Sequence, residues 1–163
     1  MDNEAAAKWV DIDLLVPWEH NPRVNDHAVA EVAKSIKRFG FGAPVLARLE
    51  DHSVIAGHTR LRAARELGMV QVPVRFLDLD APSAKALALA DNRLGELADW
   101  DEDALATALR ELDEEALDLD GLGWSEAELA ELLGATLLDA PAPDGGDDKP
   151  LTECPSCGHR WAK

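Results

Sequence analysis

The chain has 163 residues, of which 47% are hydrophobic, and a formal net charge of −16 at pH 7. No apolar run approaches the ~20 residues that a membrane-spanning helix needs, and the N-terminus lacks the basic start and apolar stretch of a signal peptide. Two cysteines are too few for a disulfide scaffold. We therefore expect a cytoplasmic protein with one globular core and no membrane partner.

The negative charge is unevenly distributed along the chain. Residues 1–77 carry ten Lys and Arg against ten Asp and Glu, whereas residues 78–163 carry six against twenty-two. Non-specific DNA binding depends on basic surface, so the acidic half is a poor DNA-binding surface. Any DNA is expected to be reached through the neutral N-terminal half or through a partner protein. The acidic half itself is interpreted mainly as a solvated helical surface.

The N-terminal half shows the pattern of a mixed α/β domain. A strand is predicted to begin at residues 8–11, and Pro22 indicates a loop at residues 19–23. Apolar residues at helical spacing predict a helix that begins with Asn25 or Asp26 as N-cap and ends at Gly40. Residues 44–49 and 53–55, separated by a short polar turn, then predict a hairpin.

A glycine turn follows the hairpin. Gly57 stands between the apolar residues 54–56 and a predicted helix at residues 58–67, which Gly68 ends before a strand at 70–77. The first turn of a helix has unpaired N–H groups and the positive end of the helix dipole, and both favour an anion. Thr59 and Arg60 add a hydroxyl group and a guanidinium group. The turn therefore predicts a cradle for phosphate groups.

Helices dominate the remainder. Pro82 suits the first turn of a helix that ends at Gly95, and a second helix is predicted at residues 101–112. A third is predicted at 125–133, where Ser125 and Glu128 have the spacing of a capping box. Residues 139–150 are rich in Pro, Gly and Asp and predict a flexible linker.

The stretch Gly57-His58-Thr59-Arg60-Leu61-Arg62-Ala63 resembles the Gly-x-x-Arg-x-x-Ala turn and helix of the ParB N-terminal domain, in the ParB/sulfiredoxin superfamily. Residues 10–23, 27–47 and 89–105 support the resemblance in order. It covers roughly the first 135 residues and is nearest to the ParB-like proteins of phages and prophages, often described as nucleases.

This resemblance implies an α/β (α+β) fold with a small mixed sheet and helices. We predict a nucleotide-binding core at residues 1–80, an acidic helical segment at 81–135 that completes the domain, a linker at 136–153 and a tail at 154–163. A sulfiredoxin activity is excluded on chemical grounds, because the turn has no cysteine.

The resemblance also implies site residues. Gly57, His58, Thr59, Arg60 and Arg62 would bind the phosphates of a nucleoside triphosphate such as CTP or ATP. The segment Asp91-Asn92-Arg93 resembles the family's Glu-Asn-x-x-Arg, whose acid and amide lie near the triphosphate and its magnesium. Asp91 and Asn92 would then be Mg²⁺ ligands, and oxygen atoms suit that ion. The alternative is the polar end of a helix, with Arg93 at the negative end of the dipole.

Two residues of the loop at 19–23 are candidates as well. Arg23 resembles the arginine of the family segment that closes over the nucleotide, and its alternative is an ordinary exposed arginine. Glu19 lies in the region that supplies the general base of the ParB-like free serine kinases, a role that a carboxylate can fill. The alternative for Glu19 is a solvated loop glutamate.

The tail has the form of half a zinc site. Cys154, Cys157 and His159 offer three ligands at suitable spacing, whereas structural zinc takes four. Another histidine or another subunit would have to complete the site. The alternative is a tail with free thiols.

Together these features predict a Mg²⁺-dependent nucleotide switch linked to DNA segregation, DNA modification or phage DNA metabolism, with a homodimer as one potential assembly. Nucleotide hydrolysis is left open. One competing hypothesis is a non-catalytic adaptor that docks to a DNA-modifying protein. Others are a small-molecule kinase that uses Glu19 and a nuclease, although the sequence shows no cluster of acids with a histidine or lysine.

Overall fold

The structure is a computed structural model that describes residues 6–139, 151–153 and 160–162. Its strands are β1 (Lys8–Asp11), β2 (Val45–Arg48), β3 (Val54–Ala56), β4 (Gln71–Leu77), β5 (Leu151–Glu153) and β6 (Arg160–Ala162). Its α-helices are α1 (Val29–Phe39), α2 (His58–Glu66), α3 (Ala81–Gly95), α4 (Glu102–Glu114) and α5 (Glu126–Asp139). The predicted α/β class is confirmed.

Four strands form one mixed sheet with the spatial order β1-β4-β2-β3. Strand β4 runs antiparallel to β1 and parallel to β2, and β2 pairs with β3 as the predicted antiparallel hairpin. Helix α2 connects β3 to β4, so it crosses over the sheet. This crossover places the glycine turn at the end of a buried strand.

Alternating residues of the sheet face two different helical layers. Val45 and Val54 pack in the cluster that includes Leu61 of α2, and α1 packs in turn against α2. On the other face, Ile55 packs against Ala84 and Ala88 of α3. Because β3 is covered from both sides, all three of its residues are buried. The core therefore includes residues of α3.

The acidic helices α4 and α5 pack against each other, and the loop between them contacts α1. Lys34 on α1 forms an ion pair with Asp120 at 3.0 Å, and Arg38 donates to the carbonyl oxygen of Asp120. A Cβ atom at Gly121 would lie 3.5 Å from the carbonyl carbon of Lys34, so the loop lies close against α1. The helical segment is thereby tied to the N-terminal half.

Most predicted elements are present with shifted ends. The predicted capping box is confirmed, because Glu128 N–H donates to Ser125 Oγ at 3.2 Å and Ser125 N–H donates to Glu128 Oε2 at 2.7 Å. Helix α1 instead follows a 3-10 turn (Asp26–Ala28), and Asn25 does not cap it through its side chain. Another 3-10 turn (Ile12–Leu14) follows β1.

Helix α5 continues to Asp139, four residues into the range 136–153 predicted as a linker, because the Pro- and Gly-rich composition begins only after that residue. Strands β5 and β6 pair antiparallel. The predicted zinc ligands Cys154, Cys157 and His159 lie outside the described residues. Within the described part of the chain, no helix is both long and apolar enough to cross a bilayer.

Candidate functional site

A large open cavity surrounds the glycine turn. Its volume is about 960 Å³, and we call it the glycine-turn cavity. Its lining comes from loop 21–25, from helix α1, from residues 55–60, and from Asp91 and Asn92 near the end of α3. Segments that are far apart in the sequence thus meet in one place.

The first turn of α2 opens into this cavity without a side-chain cap. Gly57 is the N-cap residue, and the first helical hydrogen bond runs from Leu61 N–H to Gly57 O at 2.9 Å. The backbone N–H groups of His58, Thr59 and Arg60 therefore precede the helical hydrogen-bond pattern. All three residues line the cavity. Their N–H groups and the helix dipole create a positive site for an anion.

Arg60 is held in place beside this turn by backbone carbonyls. Its Nη1 donates to Ala43 O at 2.7 Å and to Pro44 O at 2.9 Å, at the start of β2. Burial lowers the pKa of Arg60 below its usual range, and the nearby charge of Asp91 opposes that shift. The guanidinium remains charged at neutral pH because its ordinary pKa is so high. A positioned cation thus lines the same cavity as the first turn of α2.

Gly57 permits this arrangement through its left-handed backbone, with φ at +92°. A Cβ atom there would lie 3.3 Å from Val45 Cα and 3.3 Å from Arg60 Nη2. The conformation is costly for other residues, and the neighbours leave little space. Glycine is therefore required both by the turn and by the close approach of Arg60.

Arg23 connects the loop to the end of α3. Its Nη1 donates to Asn92 Oδ1 at 3.0 Å and to Asn92 O at 3.3 Å, while Asn92 Nδ2 donates to Ala88 O at 2.9 Å. Loop 21–25 also turns on Asn21, whose Oδ1 accepts from Arg23 N–H at 3.2 Å. These contacts close one wall of the cavity.

A second set of contacts joins the loop to α2. Asn25 Nδ2 donates to Thr59 Oγ1, and Arg62 Nη1 donates to Asn25 Oδ1 at 3.3 Å. Arg62 also forms an ion pair with Asp26. The Arg62 guanidinium thus contacts the loop without lining the cavity, whereas Thr59 does line the cavity.

His58 links the glycine turn to the beginning of the same loop. Its Nε2 accepts a hydrogen bond from Trp18 N–H at 3.3 Å, which requires the unprotonated nitrogen. Burial lowers the pKa of His58 below its ordinary value of 6.5. The folded protein therefore favours neutral His58.

This pKa shift predicts a pH dependence of stability. Below about pH 6.5, His58 takes up a proton in the unfolded chain but resists protonation in the folded protein. The contribution of neutral His58 to the free energy of unfolding is therefore present above that pH and is lost as the pH falls below it. We expect the free energy of unfolding to fall more from about pH 7.5 to about pH 5.5 in the wild type than in His58→Gln, as measured by urea denaturation. Equal falls in the two proteins would contradict the assignment.

Two other candidate residues lie apart from the cavity wall. Arg93 pairs with Glu96 at 3.4 Å on the exposed side of α3. Glu19 lines a smaller neighbouring cavity, together with Trp18 and His20. The structure therefore groups Arg23, residues 57–60, Asp91 and Asn92, and places Arg62, Arg93 and Glu19 around them.

Sequence reasoning missed the contribution of α1 and of Asn25. Val32, Ser35 and Ile36 of α1 line the cavity, whereas the apolar spacing of this segment predicted only a helix with one apolar face. Asn25 or Asp26 was predicted as the helix cap, yet the side chain of Asn25 contacts Thr59 and Arg62. In the sequence, Asn25 is marked only as a polar residue near the start of a helix. That position does not indicate which distant residue its side chain contacts.

The donors near Asp91 and Asn92 suit a shared magnesium ion. Both residues supply oxygen atoms at the cavity wall, and Mg²⁺ is commonly held by one or two protein oxygens with phosphate and water completing its shell. Among the described residues, no group of three or more His, Cys, Asp or Glu side chains could hold a metal ion. The chemistry of these two donors fits Mg²⁺, although Asn92 Oδ1 accepts a hydrogen bond from Arg23 in this structure and would have to exchange that partner for the ion.

The ParB N-terminal domain family matches residues 2–93, more than half of the chain. The chain belongs to this family. Its glycine turn and four-stranded sheet are both inside the matched region.

Two curated relatives show how the similarity is distributed. The probable plasmid-partitioning protein ParB of Thermus thermophilus is 41% identical over 73 residues, which are 44% of this chain and 25% of that protein. The ParB-like nuclease domain-containing protein YnaK of Escherichia coli is 46% identical over 64 residues, 39% of this chain and 72% of that protein. This chain thus spans a quarter of the length of the Thermus protein.

A solved structure supports the fold. The C-terminally truncated chromosome-partitioning protein ParB from Caulobacter crescentus, complexed with CTP-gamma-S, superposes with a TM-score of 0.69 over 80% of this chain and 78% of that one. The sequences are 21% identical. At this identity the likeness establishes the shared fold.

Proposed function

We propose that this chain binds a nucleoside triphosphate with Mg²⁺ in the glycine-turn cavity, and that binding acts as a switch in DNA segregation or a related DNA process. The observation that carries the proposal is the uncapped first turn of α2 beside the fixed guanidinium of Arg60. Three backbone donors and one cation converge on a space large enough for a triphosphate. The proposal concerns binding and does not require hydrolysis.

CTP is the first nucleotide to test. The Caulobacter ParB of the same fold is complexed with CTP-gamma-S, and the Thermus relative is a probable plasmid-partitioning protein. Both observations support CTP and DNA segregation as the starting hypothesis. The helical segment argues for an indirect route to DNA, because residues 96–139 carry fifteen acids and one arginine. We therefore propose that DNA is reached through the N-terminal half or a partner protein.

The switch follows from the contacts that a nucleotide would meet. Arg23 donates to Asn92 in the wall of the cavity, so a phosphate that attracts Arg23 competes with Asn92. Asn92 lies close to the end of α3, where the chain continues into the acidic helices. Arg23 can thus contact either Asn92 or a bound phosphate. A nucleotide shifts the equilibrium between these two arrangements only if it binds one of them more tightly than the other. Loop 21–25 and the end of α3 are the elements whose positions the nucleotide would change.

Magnesium would be held by Asp91 and Asn92 and would neutralise phosphate charge when bound. We expect Asp91→Asn to reduce the ratio of CTP affinity with Mg²⁺ to that with EDTA by roughly tenfold, the size of one charge-assisted contact. Loss of Asp91 also removes a negative charge near Arg60, so affinity in EDTA should not fall. Isothermal calorimetry under both conditions measures the ratio.

The matched control for this variant is Asp103→Asn, which changes the same group on the exposed surface of α4. Its affinity ratio should equal that of the wild type. An unchanged ratio in Asp91→Asn would remove Asp91 from the proposed magnesium site.

Calorimetric titration with CTP, ATP, GTP and UTP, each with Mg²⁺, tests the proposed function. Saturable binding of one of them, at a stoichiometry of one per chain, is the expected result. If none binds, the nucleotide switch is wrong.

An adaptor is the second candidate, and a specific surface favours it. Leu94, Leu97 and Trp100 are exposed near the end of α3, with relative exposures of 64%, 59% and 69%. Exposed apolar groups of this kind are typical of protein interaction sites. An adaptor would keep partner binding after loss of nucleotide binding, so the Arg60 variant described below also separates the two functions.

A further inference from the structure

An apolar surface is exposed where α3 ends and the chain continues to α4. Leu94, Leu97 and Trp100 contribute large exposed side chains to it. The Trp100 ring contacts the ring of Trp124, which lies just before α5, with ring centres 5.6 Å apart and an angle of 61° between the ring planes. We call these four residues the tryptophan surface. Tryptophan is mostly buried in folded proteins, so a largely exposed indole beside exposed leucines is typical of an interaction site.

The charge around this surface is negative and largely unpaired. Residues 96–139 carry fifteen acids and one arginine. Arg93, next to Leu94, is already paired with Glu96 at 3.4 Å. Among the residues that the structure describes, four acids close to Trp100 or Trp124 in the chain form no ion pair: Asp99, Glu102, Asp103 and Glu126. A partner that covers the tryptophan surface therefore meets carboxylates that still lack a cation.

This charge decides between the kinds of occupant. Nucleic acid and an anionic membrane are both negatively charged, so the acids oppose them. A second copy placed on the same surface would bring two acidic surfaces together. A lysine or arginine side chain is instead favoured twice, by the carboxylates and by the face of an exposed indole ring, because tryptophan gives the strongest cation–π attraction.

We propose that the tryptophan surface binds a basic, amphipathic segment of a partner protein. Its lysine or arginine side chains contact the indole rings and the nearby carboxylates, and its apolar side chains pack on Leu94 and Leu97. The exposed ring of Trp100 is the main anchor, since tryptophan contributes a large share of the binding energy at many protein interfaces. The proposal deepens the adaptor function, on which it rests, by naming the chemistry of the partner.

The test uses a synthetic amphipathic helix of leucine and lysine as the probe and needs no nucleotide. Titration of ¹⁵N-labelled protein should give saturable NMR shifts of the indole N–H signals of Trp100 and Trp124. Trp100→Ser should weaken probe binding by about tenfold or more, as the loss of an anchoring tryptophan does. The matched control is Val70→Ser, because Val70 has nearly the same exposed fraction but precedes β4 in the neutral half of the chain. This control should bind the probe as the wild type does.

The contribution of charge is tested with a second pair of variants. Asp99→Asn combined with Glu102→Gln should weaken probe binding roughly fivefold, the size of two exposed ion pairs. Glu66→Gln combined with Asp78→Asn removes two exposed acids from outside this surface and should leave binding unchanged. A probe with glutamate in place of lysine should not bind.

Several results would overturn the proposal. They are the absence of saturable shifts at Trp100 and Trp124, equal losses in Trp100→Ser and Val70→Ser, and binding of the glutamate probe or of phosphatidylglycerol vesicles as tightly as the lysine probe. A dimer of the chain alone that Trp100→Ser dissociates, as measured by sedimentation equilibrium, would identify a second copy as the occupant instead. If Trp100→Ser fails to fold, Leu97→Ser still decides the outcome, because Leu97 is exposed after the end of α3.

Nucleotide binding and probe binding can fail separately. Arg60→Ala should bind the leucine and lysine probe as tightly as the wild type, since Arg60 lines the glycine-turn cavity. If the protein binds none of the four nucleotides, the nucleotide switch is wrong, while the Trp100 and Trp124 signals still decide the tryptophan surface. If the probe does not bind, the tryptophan surface is wrong, while the calorimetric titrations still decide the nucleotide switch.

Discussion

Replacement of Arg60 by alanine should weaken nucleotide binding by about 10-fold to 100-fold, because hydrogen bonds to charged groups contribute about 1.5–3 kcal/mol each. The wild-type guanidinium is held by Ala43 O and Pro44 O, so its orientation is fixed before a phosphate arrives. Removal of the side chain eliminates both the charge and this preorganisation. Calorimetry with CTP and Mg²⁺ measures the loss, and Arg60→Lys should recover only part of it.

The control for this variant is Arg65→Ala, which removes an exposed arginine from the same helix. Arg65→Ala removes the same single positive charge as Arg60→Ala, but Arg65 lies outside the cavity wall. Nucleotide affinity should therefore stay within about twofold of the wild type. If both variants lose affinity equally, the effect is one of general charge and Arg60 has no special role. Partner binding that survives in Arg60→Ala would favour the adaptor.

Replacement of Gly57 by alanine should destabilise the protein and disturb the site together. A side chain in the left-handed region costs about 1–2 kcal/mol, and the new Cβ atom would lie 3.3 Å from Val45 Cα and from Arg60 Nη2. Urea denaturation measures the loss of stability. Displacement of the Arg60 guanidinium should also weaken nucleotide binding.

Gly68→Ala separates these two effects. Gly68 also has a positive φ, of 69°, but a Cβ atom there would meet nothing within 4 Å. This variant should lose about 1 kcal/mol of stability and keep its nucleotide affinity. Equal loss of nucleotide affinity in the two glycine variants would show that backbone strain alone explains the effect of Gly57→Ala.

The sequence predicted the elements that local chemistry determines. Helix α2 begins after Gly57 and ends before Gly68, and both glycines have a positive φ. The capping box of Ser125 and Glu128 marks the start of α5. The β2–β3 hairpin followed from two apolar runs around a short polar turn. Each signal depends on a few neighbouring residues, which is why the sequence alone was sufficient.

The arrangement of the site depends on contacts between distant segments. Asn25 resembles a helix cap in sequence, and only the packing of α1 against α2 brings it to Thr59. Arg62 lies within the stretch that resembles the family motif and was predicted to bind phosphate, yet its guanidinium pairs with Asp26. The position of Arg23 opposite Asn92 spans 69 residues and likewise requires the complete fold.

Phosphate binding at the first turn of α2 can be observed through the backbone amide signals of ¹⁵N-labelled protein during titration with CTP and Mg²⁺. We expect His58, Thr59 and Arg60 to show the largest saturable shifts, and we expect Arg60→Ala to abolish them. Saturable shifts confined to other segments, or none with any of the four nucleotides, would contradict phosphate binding at this turn.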